Sequence, residues 1–265
     1  MTRLLSALAL LVVIGGAAAF APLEGLLIMA VGVASFGFVE LARLGDALGA
    51  RVPRAPGLLL TALVCVCVAW PTLSLVPAVV ALLVGAGVVA VTSGTPDRAG
   101  VGGIALTVAG PLYIGLPLGA LISIGWTHSR EAAFLVVLTV IASDSLQYYT
   151  GRLFGRTLLA PAISPKKTVE GAIGGYVGGA LAMAWLGGMW LPAMPLGTRL
   201  VLAIVMVTLG IIGDLLESVL KRAAQVKDSS HVIPGHGGVL DRIDALLLVI
   251  PVYYVALRVA SRGVL

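Results

Sequence analysis

Nine long apolar stretches, separated by short polar segments, constrain this chain more than any other feature. They are residues 4–21, 25–42, 57–70, 73–92, 101–125, 132–150, 171–191, 198–220 and 241–260. Most approach the roughly 20 residues that a helix needs to cross a hydrocarbon core. No alternation over about 10 residues recurs, so the stretches do not read as strands of a membrane β-barrel. The sequence predicts an all-α polytopic membrane protein with about nine transmembrane helices.

The composition agrees with a lipid environment. Hydrophobic residues make up 59% and charged residues 11% of the chain, whereas soluble domains carry about 25% charged residues. Too few charges remain to cover a surface in water, which excludes a disordered chain and a soluble nucleic-acid-binding protein. The bilayer is the expected partner, and nucleic acid is not.

Two of the stretches are irregular, and another, 4–21, allows a second interpretation. The stretch 57–70 is short enough to be a re-entrant segment. Pro111 and Pro117 predict a kink in 101–125. Arg3 and the alanines at 17–19 resemble a secretory signal peptide. Because the run is long and further spans follow at once, an uncleaved first helix is favoured.

The basic residues predict the orientation. With nine spans, thirteen of the 17 lysine and arginine residues fall on the side that holds the N-terminus. Such residues accumulate on the cytoplasmic side, so the N-terminus and the loops 150–170 and 221–240 are expected there. We divide the chain into N-terminal transmembrane helices, 1–130, and a catalytic transmembrane region, 131–265.

Carboxylates in or beside membrane spans are costly and are therefore candidates for function. Asp144, Asp214, Asp241 and Asp244 all fall near predicted cytoplasmic helix ends. We expect them to converge at one level, where their oxygens suit a divalent cation. Glu40, in the first half of the chain, lacks such company and is interpreted as an interfacial residue.

The eighth stretch ends in a polar face followed by a glycine-rich loop. The residues of this face have the spacing of one side of a helix: Asp214, Glu217, Ser218, Lys221 and Arg222. Ion pairing within the helix is the alternative explanation for this spacing. The loop reads KDSSHVIPGHGG and leads into DRID. Its bare backbone around His236 precedes a helix N-terminus, which favours an anion. Carboxylates for a metal beside cations and amides for phosphates indicate phosphoryl or nucleotidyl transfer.

A second basic element reads AISPKKTVEG. Ser164 is predicted as a helix N-cap with Pro165 at the first helical position. Lys166 and Lys167 then fall in the first turn, where the helix dipole disfavours cations unless an anion is bound. Anchoring at the cytoplasmic surface is the alternative.

The segment from Ser218 to Asp244 resembles the signature of phosphatidate cytidylyltransferases, S-x-aliphatic-K-R, four residues, K-D, a spacer, P-G-H-G-G and D-R-x-D. The residues around Asp214 fit the family's G-D-L-x-E-S, and Ser164–Gly171 fits its S-P-K-K-T-x-E-G. One segment departs, since residues 144–152 read DSLQYYTGR where the family commonly has D-T-G-A-Y-F-x-G-R. The resemblance covers roughly residues 140–260.

This resemblance implies a magnesium-dependent nucleotidyltransferase of the cytoplasmic membrane. It would join CTP to phosphatidic acid on the cytoplasmic side, giving CDP-diacylglycerol and pyrophosphate. The expected metal ligands are Asp144, Asp214, Asp241 and Asp244. The expected catalytic residues are Asp214, Lys221, Arg222, Lys227 and Asp241. The expected substrate-binding residues are Ser164, Lys166, Lys167, Thr168, Glu170, Ser218, Asp228, His236, Gly237, Gly238 and Arg242. A second, monovalent cation and a homo-oligomer are left open.

Three alternatives stay open at this point. An ion-coupled transporter would also carry intramembrane carboxylates, but nearer mid-span. A CDP-alcohol phosphotransferase would carry a D-G-x-x-A-R pattern, which the DRID segment does not match. A family member that uses another acceptor lipid or nucleotide has the same motifs.

Overall fold

The apolar stretches from 25–42 onward form helices close to their predicted bounds. The structure is a computed structural model that describes residues 20–70, 72–73, 76–94, 96–230, 232 and 237–261. Its helices are α1 (Leu23–Ala47), α2 (Arg54–Ala69), α3 (Val76–Ser93), α4 (Arg98–Gly110), α5 (Leu116–Thr127), α6 (Arg130–Phe154), α7 (Val169–Trp190), α8 (Leu196–Ala223) and α9 (Leu240–Ala260). The predicted first span, 4–21, lies almost wholly outside the described residues.

Among the residues that the structure describes, seven helical spans are long and apolar enough to cross a membrane. One of them is the continuous run Arg98–Thr127, in which a π-helical turn, Pro111–Gly115, joins α4 to α5. The irregularity lies where the sequence predicts a kink, because Pro111 has no N–H to donate to the regular helical ladder. Helix α2, with 16 residues, corresponds to the short stretch 57–70 and is not one of these seven. The prediction of an all-α polytopic membrane protein is confirmed.

The chain packs as two compact units. The first unit comprises residues 1–126 and 220–243, and holds α1 to α5 together with residues 227–238, which we call the signature loop. Its core includes Phe38, which is fully buried. A Cβ at Gly57 would collide with the Phe38 ring, so this glycine gives the ring its space between α1 and α2. The division at residue 130 that we made from the sequence concerns function, and it stays a prediction.

The second unit comprises residues 127–219 and 244–265. Strands β1 (Leu158–Ala160) and β2 (Ser164–Thr168) form a short antiparallel hairpin between α6 and α7. The prediction that Ser164 caps a helix is therefore wrong, and Lys166 and Lys167 lie on a strand. Thr168 provides the cap instead, because its hydroxyl oxygen accepts a hydrogen bond from the Gly171 N–H at 3.1 Å.

Helices α6 and α7 approach closely along a row of glycines. A Cβ at Gly174 would collide with the Thr150 side chain, and a Cβ at Gly178 would meet the Ala142 carbonyl oxygen at 2.6 Å. Small residues allow membrane helices to pack backbone against backbone. The glycines of α7 therefore allow the backbones of α6 and α7 to come into contact.

This packing predicts the effect of a single methyl group. We expect Gly178→Ala to lower the stability of the fold by about 1–3 kcal/mol, because the carbonyl that it meets belongs to a helix backbone. Gly32→Ala, at a helical glycine whose Cβ would meet open space, is the matched control. The midpoint of thermal unfolding in detergent should fall for Gly178→Ala alone. Equal midpoints for the two variants would contradict the close approach of α6 and α7.

Candidate functional site

The first unit contains a group of hydrogen-bonded residues that we call the loop clamp: Glu40, Lys221, Ser229, Ser230 and Asp241. It holds the signature loop between α8 and α9. Asp241, in the first turn of α9, accepts hydrogen bonds on both of its carboxylate oxygens. The Lys221 ammonium lies 2.6 Å from Oδ1. The Ser229 N–H, the Ser229 hydroxyl and the Gly238 N–H donate to Oδ2 at 3.0, 2.9 and 2.7 Å.

The Lys221–Asp241 pair is sheltered, since the side chains are 13% and 9% exposed. A charged pair removed from water interacts more strongly than a pair on the surface. The same carboxylate also accepts from the Gly238 N–H, just before the start of α9. In this conformation the Gly238 N–H donates to Asp241, whereas the sequence predicts that this N–H binds a phosphate.

Glu40 is a residue of the loop clamp that the sequence did not lead us to expect there. The interpretation of Glu40 as interfacial is wrong, because its side chain is 2% exposed and belongs to the loop clamp. It accepts hydrogen bonds from the hydroxyls of Ser229 and Ser230 and from the N–H groups of Val239 and Leu240. The signal that could have found it is a carboxylate within a membrane span, which is expensive unless it has a role.

The second unit contains the other part of the predicted site, which we call the carboxylate cluster: Asp144, Asp214, Asp244 and Lys167. The Lys167 ammonium lies 2.6 Å from Asp214, with side chains 13% and 39% exposed. Asp144 is within electrostatic range of the other three groups. Helices α6, α8 and α9 thus bring together three of the four carboxylates that the sequence predicts at one level, and strand β2 adds the lysine. The fourth, Asp241, belongs to the first unit.

Other predicted substrate-binding residues near the hairpin make local contacts. Glu170, in the first turn of α7, accepts hydrogen bonds from the N–H groups of Arg156 and Thr157 at 3.1 and 3.2 Å. It therefore ties the start of the hairpin to α7. Ser164 pairs with Ala160 in the hairpin, and Lys166 is exposed.

The remaining predicted residues lie around the signature loop. Arg222, Lys227 and Arg242 are exposed and Asp228 is half-buried. In the second unit, the Ser218 hydroxyl lies 3.4 Å from Asp214. Gly237 has φ +77°, a left-handed conformation that favours glycine. His236 lies outside the described residues.

The carboxylates suit a magnesium ion by their chemistry. Among the residues that the structure describes, no three histidine, cysteine, aspartate or glutamate side chains form a ready-made metal site. Mg²⁺ usually binds one or two carboxylates and completes its shell with water and substrate phosphates. The oxygen donors of the carboxylate cluster fit that pattern, and their mutual repulsion favours a cation.

Comparison with known proteins identifies relatives of this arrangement. A family profile described as the Cytidylyltransferase family matches residues 1–260. The phosphatidate cytidylyltransferase of Haemophilus influenzae is 44% identical over 131 residues, 48% of this chain and 45% of that protein. That of Thermotoga maritima is 36% identical over 153 residues, 56% of this chain and 57% of that protein. That of Bacillus subtilis is 42% identical over 130 residues, 48% of each chain.

These matches confirm the family that the signature segment predicts. The chain spans about half the length of the curated relatives that it matches. The family profile, in contrast, covers nearly the whole chain, including the helices of the first unit. This chain belongs to the cytidylyltransferase family.

Proposed function

We propose that this protein is a phosphatidate cytidylyltransferase, which transfers CMP from CTP to phosphatidic acid and releases pyrophosphate. The observation that carries the proposal is the signature segment 218–244, in which Lys221 and Asp241 pair within the loop clamp. The Lys221–Asp241 pair at 2.6 Å combines a cation for phosphate with a carboxylate suited to a metal. The names of the curated relatives support the same reaction.

The reaction joins two anions, so the protein must neutralise charge and hold the reactants in line. An oxygen of the phosphatidate phosphate attacks the α-phosphorus of CTP. The bond from that phosphorus to the oxygen that bridges to the β-phosphate breaks, and pyrophosphate leaves with the electron pair. The lipid phosphate is already an anionic nucleophile, so positioning and charge stabilisation suffice and a strong general base is not needed.

Each unit contributes residues to the proposal. In the second unit, Asp144, Asp214 and Asp244 are candidate ligands of a magnesium ion, and Lys167 neutralises phosphate charge. In the first unit, Asp241 is a candidate ligand, and Lys221, Arg222 and Lys227 neutralise phosphates. A bound magnesium ion would withdraw charge from the phosphate oxygens.

The orientation forms part of the proposal. CTP is a cytoplasmic nucleotide, so the loops 150–170 and 221–240 are proposed to face the cytoplasm, with the N-terminus on the same side. The distribution of lysine and arginine along the chain supports this orientation.

The proposal predicts a nucleotide-specific and magnesium-dependent activity. Purified protein in detergent should release pyrophosphate when given phosphatidic acid, CTP and Mg²⁺. Replacement of CTP by UTP or ATP, or chelation of the metal, should reduce the rate to background. Turnover with another acceptor lipid but none with phosphatidic acid would contradict the proposed substrate, and equal rates with all three nucleotides would contradict the nucleotide assignment.

A further inference from the structure

The buried carboxylate of Glu40 has no part in the roles proposed above. It lies on α1, and its side chain is 2% exposed. A buried carboxylate is costly unless hydrogen bonds compensate for the loss of water. The groups that donate hydrogen bonds to Glu40 therefore stabilise the folded state, and their positions indicate what the carboxylate does.

Glu40 binds both ends of the segment 229–240. At one end, the hydroxyls of Ser229 and Ser230 donate to it at 3.0 and 2.5 Å. At the other end, the N–H groups of Val239 and Leu240 donate at 3.0 and 2.7 Å. One carboxylate that accepts from both ends holds Ser229 and Ser230 beside the start of α9 and satisfies two amides at that helix N-terminus.

Glu40 is also linked to Asp241 through one hydroxyl. The Ser229 oxygen lies 3.0 Å from a Glu40 oxygen and 2.9 Å from an Asp241 oxygen. Since a hydroxyl carries one proton, Ser229 shares it between the two carboxylates. Gly238 leaves room for the Glu40 carboxylate, because a Cβ at this position would meet the Glu40 oxygens at 2.5 and 2.6 Å.

We propose that Glu40 is a positioning residue for nucleotidyl transfer, which holds Ser229 and Ser230 beside the start of α9 and so orients the Asp241 carboxylate and its Lys221 partner. This inference rests on the proposed function. Glu40 acts through Ser229 and the loop amides, and it does not contact the substrates. Its contacts link the signature segment to α1, which lies outside residues 140–260, where the sequence motifs fall.

The test replaces Glu40 with glutamine, which puts an amide NH₂ where an oxygen now accepts. At least one hydrogen bond of the clamp is lost, so kcat/KM for CTP should fall roughly 10- to 100-fold. Hydrogen exchange of the backbone amides in 229–240 should accelerate, while exchange in α2, in the same unit, stays at the wild-type rate. Glu40→Asp keeps the carboxylate and should recover part of the activity and of the protection.

Glu24→Gln is the matched control, because Glu24 is exposed in the first turn of the same helix. It should behave as wild type in both measurements. If Glu40→Gln does not fold, Ser230→Ala removes one donor to Glu40 and carries the same test with a smaller expected loss.

The two measurements separate this inference from the proposed function. Wild-type kcat/KM and wild-type exchange in Glu40→Gln would overturn the inference. Faster exchange across the whole first unit would also overturn it, since Glu40 would then act on general stability. Faster exchange confined to 229–240, in a protein whose wild type does not turn over CTP, would support the anchoring of the loop and contradict the proposed function.

Discussion

Asp241→Asn is expected to reduce turnover of CTP and phosphatidic acid roughly 1,000-fold, as for the loss of several kcal/mol of transition-state stabilisation. Asp241 is a proposed metal ligand, and its carboxylate pairs with Lys221 and accepts from the Ser229 and Gly238 amides. An asparagine keeps the size of the side chain but removes its charge. Measurement of kcat/KM for CTP in detergent, on protein that elutes as wild type from size exclusion, checks this result.

Asp46→Asn provides the matched control. Asp46 also pairs with a basic side chain, Arg54 at 2.9 Å, and also accepts a backbone N–H, from Val52. Its pair is exposed and lies outside the loop clamp, so activity should change little. If Asp241→Asn kept activity within a few-fold of Asp46→Asn, Asp241 would have no part in the mechanism.

Lys167→Met is expected to lower kcat/KM for CTP roughly 100-fold, a loss typical of one donor that stabilises developing charge. Lys167 lies 2.6 Å from Asp214 in the carboxylate cluster. Without its ammonium, the carboxylates repel one another and the substrate phosphates lose a neutralising charge. The same substitution at Lys166, the exposed neighbour on β2, should cost less than about tenfold. Equal losses in the two variants would contradict a specific role for Lys167, and both rates are measured at saturating phosphatidic acid.

The helices could be predicted because their signal is local. A run of apolar residues with few charges must form a helix in lipid, since only a helix satisfies its own backbone there. The predicted and observed spans accordingly agree closely from α1 to α9. The hairpin could not be predicted in this way, because Ser164 and Thr168 both have the chemistry of a helix cap. Pairing of β2 with β1 decides between them.

The carboxylate cluster was accessible from the sequence, whereas the role of Glu40 was not. Asp144, Asp214 and Asp244 fall at helix ends that the spacing of the spans puts on one side of the membrane. Glu40 reaches its partner Ser229 across 189 residues of sequence. A local sequence pattern cannot predict a contact over this separation. Only the energetic cost of a carboxylate within a membrane span indicates that Glu40 has a partner.

The transfer of the cytidine α-phosphate into lipid tests the central claim most directly. Purified protein is given phosphatidic acid, Mg²⁺ and CTP labelled at its α-phosphate, and the lipid is then extracted. The account predicts that the label enters the lipid fraction as CDP-diacylglycerol and that one pyrophosphate is released for each lipid formed. Pyrophosphate release with the label remaining in water-soluble CMP would identify a CTP hydrolase and contradict the account.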